Sequence, residues 1–455
     1  MTLLDPIVKA YDIRGTVPDQ LDAGLCRALG VGFARYVVDR DPAVRKVLIG
    51  RDMRPTGVEL CDAFSEGVRA QGLDVVQLGL VSTDLVYFAA GKLDAPGAMF
   101  TASHNPAQYN GMKLCLSGAR PIGLGTGLEV IKATAEAVLA GGGPAASAHR
   151  GRESHVDLLD EFTAHVHSFV DLTQFRPLKV VADTANGMGG LIVPKVFETL
   201  PFELEVMYGE LDGTFPNHPA DPIQPANQRD LMARVVSGGF DVGLAFDGDA
   251  DRVFLVDETG RGLSGSTTTA ILAAGALARE PGGTILYNLI CSKAVPEVVV
   301  ERGGKPVRTR VGHSFIKQLM AETGAVFGGE HSAHYYFRDN YRADSGIIAS
   351  MIVLEQLCTT SVPLSVLRKP FERYEASGEI NTAVSDTAGV IEHVAATYGR
   401  EQQDRLDGLT VDCGTWWFNL RPSNTEPLLR LNLEAATRDQ CDDRVAEVLA
   451  LITAA

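Results

Sequence analysis

The chain has few of the features that mark disulfide-rich, zinc-binding or membrane proteins. Seven of its 455 residues are cysteine, and no two form a CxxC pair. Their odd number and wide spacing favour free thiols in a reducing compartment over a disulfide framework or a zinc site. No apolar run approaches the roughly 18 residues of a membrane helix, and the first residues, MTLLDPIVKAYDIRG, do not resemble a signal peptide. We therefore expect a cytoplasmic protein with no membrane partner.

Positive charge is also scarce. The 41 Lys and Arg residues are outnumbered by 57 Asp and Glu residues, which gives a net charge of -16. Nucleic-acid binding draws most of its affinity from Lys and Arg on phosphates, so we expect no nucleic-acid partner. A small phosphorylated ligand stays possible, because distant acidic groups are screened within about 8 Å and a few cations in one cleft can dominate locally.

The pattern of apolar residues predicts several α/β units. A chain of 455 residues is too long for one core. Short β-branched runs alternate with amphipathic stretches, which is typical of βαβ units. One such unit is predicted as a strand at 46–49, a helix at 55–71 and a strand at 74–78. The Gly/Ala/Ser stretch 141–147 predicts a linker, and strands at 178–183 and 241–246 predict a second unit.

The last part of the chain differs from the rest. Beyond residue 363, strands are predicted at 409–413, 416–420 and 428–433, followed by a helix from Arg438. Strands followed by a helix indicate an α+β domain. The predicted domains are 1–147, 148–257, 258–366 and 367–455.

The first candidate motif is TASHNP at residues 101–106, directly after an apolar run. An Asx-Pro turn and a nucleophilic Ser103 explain it equally well. A nucleophilic serine needs a base or a metal, and His104 need not face Ser103. The chain has no GxSxG elbow, so a serine hydrolase is poorly supported.

The second motif places Asp247, Asp249 and Asp251 at alternate positions after a predicted strand. Closely spaced carboxylates repel one another unless a cation lies between them, and hard oxygen ligands suit Mg²⁺. A solvated acidic turn is the simpler alternative. An EF-hand with Glu258 at its twelfth position is rejected, because Arg252 stands where glycine is required and the flanks read as strands.

The third motif is GGEHSAH at residues 328–334. Its Glu, Ser and His side chains offer donors and acceptors to vicinal sugar hydroxyls, although either His could simply bond nearby backbone.

The fourth motif is RPSNTEP at residues 421–427. A guanidinium, two hydroxyls and an amide between two prolines suit a phosphate group, and a plain polar turn is the alternative.

In this order the four motifs resemble the α-D-phosphohexomutase family, in its phosphomannomutase/phosphoglucomutase branch. The resemblance spans residues 11–427. It implies three similar mixed α/β sandwich domains and a C-terminal α+β domain similar to the TATA-binding protein, around one cleft. It further implies a phosphorylated Ser103 and one Mg²⁺ held by that group together with Asp247, Asp249 and Asp251.

The implied reaction interconverts mannose 6-phosphate and mannose 1-phosphate, and also the glucose phosphates, through hexose 1,6-bisphosphate, which acts as intermediate and activator. Lys113 is the expected general acid/base, which requires a lowered pKa. The other candidate residues implied by the resemblance are Tyr11, Arg14, His104 and Arg252 for catalysis, His313, Glu330, Ser332 and His334 for the sugar, and Arg421, Ser423, Asn424 and Thr425 for the phosphate.

One position departs from the family pattern. Ile290 stands where a Lys is common, and Lys293 could replace that contact only if its loop were shifted. The GEHSAH loop resembles the mannose/glucose branch, with a phosphoglucosamine mutase or a metal-dependent sugar phosphatase as alternatives. A non-catalytic calcium- or sugar-binding module would leave the Ser103 motif unexplained. The expected partners are small phosphorylated sugars, and the expected state is a monomer or a homodimer.

Overall fold

The computed structural model describes residues 3–423 and 428–454, which contain four successive β-sheets with their helices. The predicted fold class is confirmed, because three sheets are mixed and the last is antiparallel.

The first sheet is built from the N-terminal part of the chain. Its strands are β1 (Ile13–Thr16), β2 (Lys46–Arg51), β3 (Asp74–Leu80), β4 (Gly97–Phe100), β5 (Tyr109–Leu116), β6 (Arg120–Ile122) and β7 (Glu153–His155). Its helices are α1 (Ala23–Arg40), α2 (Gly57–Ala70), α3 (Thr83–Lys92) and α4 (Leu128–Leu139). The spatial order is β1-β5-β4-β2-β3-β7, and β6 pairs with β5.

The second and third sheets follow, each with four strands. The second unit contains α5 (Leu159–His167), β8 (Lys179–Asp183), α6 (Gly189–Phe197), β9 (Glu203–Met207), α7 (Arg229–Gly238), β10 (Val242–Phe246) and β11 (Val253–Asp257). The third contains α8 (Gly265–Arg279), β12 (Thr284–Asn288), α9 (Ala294–Glu301), β13 (Lys305–Thr309), α10 (His313–Thr323), β14 (Phe327–Gly329), β15 (Tyr335–Phe337), α11 (Gly346–Thr360) and α12 (Leu364–Leu367).

The last sheet has five antiparallel strands. Its elements are β16 (Glu375–Ala383), α13 (Thr387–Thr397), β17 (Gln402–Asp404), β18 (Leu409–Asp412), β19 (Trp416–Pro422), β20 (Leu428–Ala435) and α14 (Arg438–Ala454). The order is β16-β20-β19-β18-β17. A separate core, which includes Phe418 and Leu431, lies between this sheet and its helices, whereas one continuous apolar cluster joins the first three units.

The first three sheets share one arrangement of strands. Three parallel strands lie side by side and a fourth pairs antiparallel at their edge, in the orders β3-β2-β4-β5, β9-β8-β10-β11 and β13-β12-β14-β15. In each unit the connection from the third strand to the fourth carries one of the first three motifs. The fold therefore uses the same connection three times.

The structure changes some details of the expected elements. The helix expected from residue 55 begins at Gly57, after a turn in which the Gly57 N–H donates to the Arg54 carbonyl. Strand β7 lies beyond residue 147, where the first domain was expected to end, yet it pairs in parallel with β3. The first sheet therefore extends past the predicted linker, because the chain returns to the sheet edge before it enters the second unit.

Among the described residues, no single helix is long and apolar enough to cross a membrane. The bent pair Gly346–Thr360 and Leu364–Phe371 reaches that length but turns by 93° at its break.

Candidate active site

The motifs of the first and second units meet at Ser103. Ser103 follows β4, is 2% exposed and has a φ of +50°. Its Oγ donates a hydrogen bond to Asp247 Oδ2 at 2.8 Å, and its N–H donates to Thr101 Oγ1 at 2.8 Å. His104 Nδ1 lies 3.4 Å from the same Oγ. The shorter contact of the Ser103 hydroxyl is therefore with the acidic loop of the second unit, and not with the adjacent His104.

Three buried carboxylates form a candidate metal centre. Asp247, Asp249 and Asp251 are at most 1% exposed, and one oxygen of each lies within 4.8 Å of the others. The Oδ1 atoms of Asp249 and Asp251 are buried without a hydrogen-bond partner. Buried acceptors without partners are costly, and a hard divalent cation would satisfy them. The residues present therefore fit a magnesium ion.

The carboxylates of this centre differ in their titration. Burial raises the pKa of Asp247 to about 8, although Arg252 opposes this effect. Burial acts in the same direction on Asp249, but Lys113 outweighs it and lowers the pKa of Asp249 below its usual value. The proton affinity of the cluster is thus unevenly distributed, as expected for like charges at close range.

The pKa expected for Lys113 is wrong in direction. Its Nζ donates to Asp249 Oδ2 at 2.7 Å and to Asp251 Oδ2 at 2.5 Å. Burial alone would lower the pKa of Lys113, but these two carboxylates raise it well above its ordinary value. The two carboxylates therefore favour the protonated form of Lys113, opposite to the shift that a general acid/base needs.

Two arginines and His104 line the same region. Arg252 Nε donates to Asp247 Oδ2 at 2.9 Å, while its buried Nη2 has no hydrogen-bond partner. Arg14 Nη1 donates to Asn105 Oδ1 at 2.6 Å, beside the serine. Burial and the two guanidinium groups lower the pKa of His104 well below its ordinary value. These surroundings therefore favour the neutral form of the His104 imidazole.

The third motif lies next to the metal loop, because the backbones of Arg252 and His334 form an antiparallel bridge. His334 Nδ1 lies 3.0 Å from Ser332 Oγ, and its Nε2 lies 3.7 Å from Asp251 Oδ1. Glu330 is 2% exposed. The groups that donate to its carboxylate are Asn288 Nδ2 at 3.2 Å, the Gly312 N–H at 3.1 Å and the Tyr336 hydroxyl at 2.7 Å.

The fourth motif connects β19 to β20. Arg421 Nη2 donates to Glu379 Oε2 at 3.0 Å, and its buried Nε has no hydrogen-bond partner. Burial raises the pKa of Tyr11, and the charge of Arg421 opposes this effect. The Tyr11 hydroxyl donates to the Val311 carbonyl at 3.4 Å. The N–H of Ser423 donates to the Leu428 carbonyl at 2.9 Å. Asn424, Thr425 and the side chain of His313 lie outside the described residues.

Family models for phosphoglucomutase/phosphomannomutase cover the chain in four parts, namely alpha/beta/alpha domain I at 5–138, domain II at 159–261, domain III at 264–374 and the C-terminal domain at 379–451. The chain belongs to the phosphoglucomutase/phosphomannomutase family. The resemblance predicted from the four motifs is thereby confirmed, and so is the enzyme class, a phosphohexomutase.

Individual relatives cover nearly the whole chain. A protein named "Phosphohexose mutases" from Xanthomonas campestris pv. campestris is 42% identical over 439 residues, 95% of each chain. The phosphomannomutase of Salmonella typhimurium is 38% identical over 436 residues, 94% of each chain. The crystal structure of a phosphoglucomutase/phosphomannomutase family protein from Burkholderia thailandensis has a TM-score of 0.88 at 31% identity and covers 100% of this chain and 98% of that one.

Lys293, the residue considered as a substitute near Ile290, contacts the last unit. Its Nζ donates to Asp412 Oδ1 at 2.6 Å and to the Gly414 carbonyl at 3.1 Å, and its N–H donates to Glu434 Oε1 at 2.9 Å. Lys293 thus fastens the third unit to the last one. Ile290 is buried and contributes no polar group.

Sequence reasoning missed residues that hold the motifs in place. Thr83, the first residue of α3, donates from its hydroxyl to Asp249 Oδ2 at 2.5 Å and from its N–H to the Asp249 carbonyl at 3.1 Å. Arg54 is completely buried against the Ser103 loop. The available signal for Arg54 was a charged pair, Asp52 and Arg54, directly after a buried strand, since charged residues are rarely buried unless paired.

Proposed function

We propose that this family member is a phosphomannomutase that also accepts glucose phosphates and carries a phosphoryl group on Ser103. The observation that carries the proposal is the 2.8 Å hydrogen bond from Ser103 Oγ to Asp247 in a buried triad of carboxylates. A phosphorylated serine at this place would bring its oxygens to the cation site. The relatives named phosphomannomutase and phosphohexose mutases support the sugar class.

The proposed reaction consists of two phosphoryl transfers. In the first, the bond from phosphorus to Ser103 Oγ breaks while a bond to the free hydroxyl of the hexose monophosphate forms; that hydroxyl loses its proton and Ser103 Oγ gains one. In the second, the bond from the other phosphoryl group of the hexose 1,6-bisphosphate to its sugar oxygen breaks and a bond to Ser103 Oγ forms, while Ser103 loses its proton and the sugar oxygen gains one. The enzyme is restored, and the sugar phosphate is isomerised without any net addition of water.

The roles of the residues follow from their charges. Mg²⁺, held by Asp247, Asp249 and Asp251, would spread the negative charge of the transferred group. Lys113 and Arg252 hold fixed positive charge around the same place. The His104 imidazole lies 3.4 Å from Ser103 Oγ and would carry the proton between this oxygen and the sugar hydroxyl.

The remaining motif residues are proposed to bind the sugar phosphate. Arg14, which donates to Asn105 beside the serine, and Tyr11 would line the site. Glu330, Ser332, His334 and His313 would contact the sugar, and Arg421, Ser423, Asn424 and Thr425 would hold the phosphate that is not reacting. Ser103 is 2% exposed, and such burial would limit the access of water to a phosphoryl group there, which favours a mutase over a sugar phosphatase. The scattered free thiols fit a cytoplasmic enzyme.

The decisive experiment measures conversion of mannose 1-phosphate to mannose 6-phosphate with Mg²⁺ and a trace of glucose 1,6-bisphosphate. Glucose 1-phosphate and glucosamine 1-phosphate are tested alongside, inorganic phosphate is recorded, and the phosphorylated residue is located by mass spectrometry. Ser103→Ala should abolish turnover. Ser65→Ala, at a buried serine that accepts from Gln77 and lies outside the site, should not.

Three results would overturn the proposal or its mechanism. Turnover of glucosamine 1-phosphate alone would make the protein a phosphoglucosamine mutase. Release of inorganic phosphate as fast as isomerisation would make it a phosphatase. Absence of phosphate on Ser103 in an active preparation would remove the proposed mechanism.

A further inference from the structure

The guanidinium of Arg54 uses every hydrogen-bond donor it has to fix the segment that contains Ser103. Its Nη2 donates to the carbonyls of Ser103 at 2.9 Å and Asn105 at 2.6 Å. Its Nη1 donates to the carbonyls of Pro106 and Tyr109, both at 2.8 Å. The Nε donates to the Asp52 carboxylate at 3.3 Å. A guanidinium has five N–H groups in a rigid fork, and no other side chain can make this set of bonds.

The Asp52 carboxylate binds both the side chain and the backbone of Arg54. Its Oδ1 accepts the N–H of Arg54 at 3.0 Å, and both side chains are completely buried. Thr101 also hydrogen-bonds to the Asp52 carboxylate, and the same hydroxyl oxygen accepts the N–H of Ser103. The serine backbone is thus fixed at its nitrogen and at its carbonyl by one connected set of polar groups.

The conformation of Ser103 needs such support. Its φ of +50° lies in the left-handed region, which is unfavourable for a residue other than glycine and persists only when the surroundings enforce it. On the far side, a Cβ placed on Gly248 of the metal loop would come within 2.5 Å of the Ser103 carbonyl oxygen. Arg54 and the metal loop therefore enclose the same peptide group.

A segment of the second unit, residues 212–218, covers Arg54, and we call it the strap. The ring centroid of Phe215 lies 5.1 Å from Arg54 Cζ. A Cβ placed on Gly213 would be 2.6 Å from Arg54 Cα, so the strap lies directly on the backbone of the first unit. Phe215 has a φ of +53°, so the ring is presented from a constrained turn.

The strap is itself attached to the second unit. The Asp212 N–H donates to the Asn186 carbonyl at 2.9 Å, and Asn217 Nδ2 donates to Asn186 Oδ1 at 2.8 Å. His218 Nε2 lies 3.0 Å from the Asp183 carboxylate. These contacts anchor the strap to the end of β8, whose neighbour β10 leads into the metal loop. The element that covers Arg54 therefore belongs to the unit that carries the carboxylates.

We propose that Arg54 is a positioning residue for the phosphoryl-carrying Ser103, and that Phe215 from the second unit holds the Arg54 guanidinium in place. The aim of Ser103 Oγ at the carboxylate triad then depends on a contact between two units and not on the serine loop alone. The catalytic part of this inference rests on the proposed function, whereas the effect on the loop does not.

The test compares Arg54→Lys with Arg368→Lys. Arg368 is a matched control, because it is also buried, pairs with Asp257 at 2.6 Å and donates to the Gly262 carbonyl at 2.8 Å, away from the serine. We expect Arg54→Lys to lower kcat about 100-fold with KM changed less than about threefold, as for a misplaced reacting group. Arg368→Lys should lower the melting temperature to a similar extent but leave kcat near that of the wild type.

A second variant and a second measurement keep the test independent of folding and of activity. Phe215→Leu keeps Arg54 and should lower kcat about tenfold, and combining it with Arg54→Lys should add little further loss, as for two members of one unit. Amide hydrogen exchange of residues 101–109 should accelerate in both variants and not in Arg368→Lys. A change in KM alone, additive losses, or unchanged exchange in these residues would overturn the inference. A further outcome separates the two proposals. If amide exchange of residues 101–109 accelerates in the variants but neither they nor the wild type isomerise hexose phosphates, the positioning contact is supported and the proposed function is refuted.

Discussion

Replacing Lys113 by Met tests the electrostatics of the metal centre. The ammonium lies 2.7 Å from Asp249 and 2.5 Å from Asp251, and all three groups are buried. Removal of one partner from a buried ion pair costs about 3–5 kcal/mol, because the remaining charge has no compensation. At about 2.1 cal/mol/K per residue, the unfolding entropy of the 455-residue chain is about 1 kcal/mol/K, so each kcal/mol shifts the melting temperature by about 1 °C. The metal-free variant should therefore melt about 3–5 °C below the metal-free wild type.

Magnesium should reverse much of this loss. A divalent cation supplies the compensation that Lys113 gave, and it no longer competes with the ammonium for the same carboxylates. Ligand binding to the folded state stabilises by an amount that grows with the ratio of free metal to Kd. The measurement is thermal unfolding in EDTA and in a series of Mg²⁺ concentrations, and the rise in melting temperature should be larger for Lys113→Met than for the wild type.

A matched control is Arg368→Met. Arg368 is also buried, and its Nη1 lies 2.6 Å from Asp257, which belongs to neither group of described side chains that could share a metal ion. This variant should lose stability without gaining a larger response to Mg²⁺. If Lys113→Met responded to Mg²⁺ no more than the wild type, or if it were fully stable in EDTA, the proposed charge balance of the centre would be refuted.

Three further predictions concern single positions. Gly248→Ala should destabilise the protein by about 1–3 kcal/mol in urea unfolding and reduce kcat, because its Cβ would come 2.5 Å from the Ser103 carbonyl oxygen; an active, stable variant would contradict the packing. His218 has a raised pKa, because Asp183 outweighs the effect of burial. The stability that protonated His218 adds to the folded protein is complete below the unfolded pKa of about 6.5 and is lost as the pH rises through the folded pKa. His218→Gln should therefore cost more free energy of unfolding at pH 6 than at pH 9. Arg421→Lys should raise KM for the sugar phosphate about tenfold through loss of a planar fork, and an unchanged KM in steady-state assays would exclude a phosphate contact.

The sequence predicted the elements better than their contacts. Local periodicity was sufficient for strands such as β2 and β10, because buried strands leave continuous apolar runs. The direction of the Lys113 pKa could not be predicted, since Asp249 and Asp251 lie 136 and 138 residues further along the chain and only the fold sets their distance.

The residues that support the motifs could not be predicted for a related reason. In the sequence, Arg54 is an ordinary polar residue beside a turn. Its role depends on hydrogen bonds to four backbone carbonyls, which no pattern of side chains indicates. Strand β7 was missed because three residues after a flexible linker carry almost no periodicity. The similarity of the first three units was predicted from the family resemblance and not from an internal sequence repeat, since it lies in the order of their strands.

The repeated connection between the third and fourth strands has a consequence for how the site can change. Because each of the first three sheets sends out its turn from the same edge, residues of one turn can be exchanged while the strand order behind it is kept. Binding and catalytic residues commonly lie on loops that a rigid scaffold positions. Each of the three turns is therefore a place where the chemistry of the site can be altered separately.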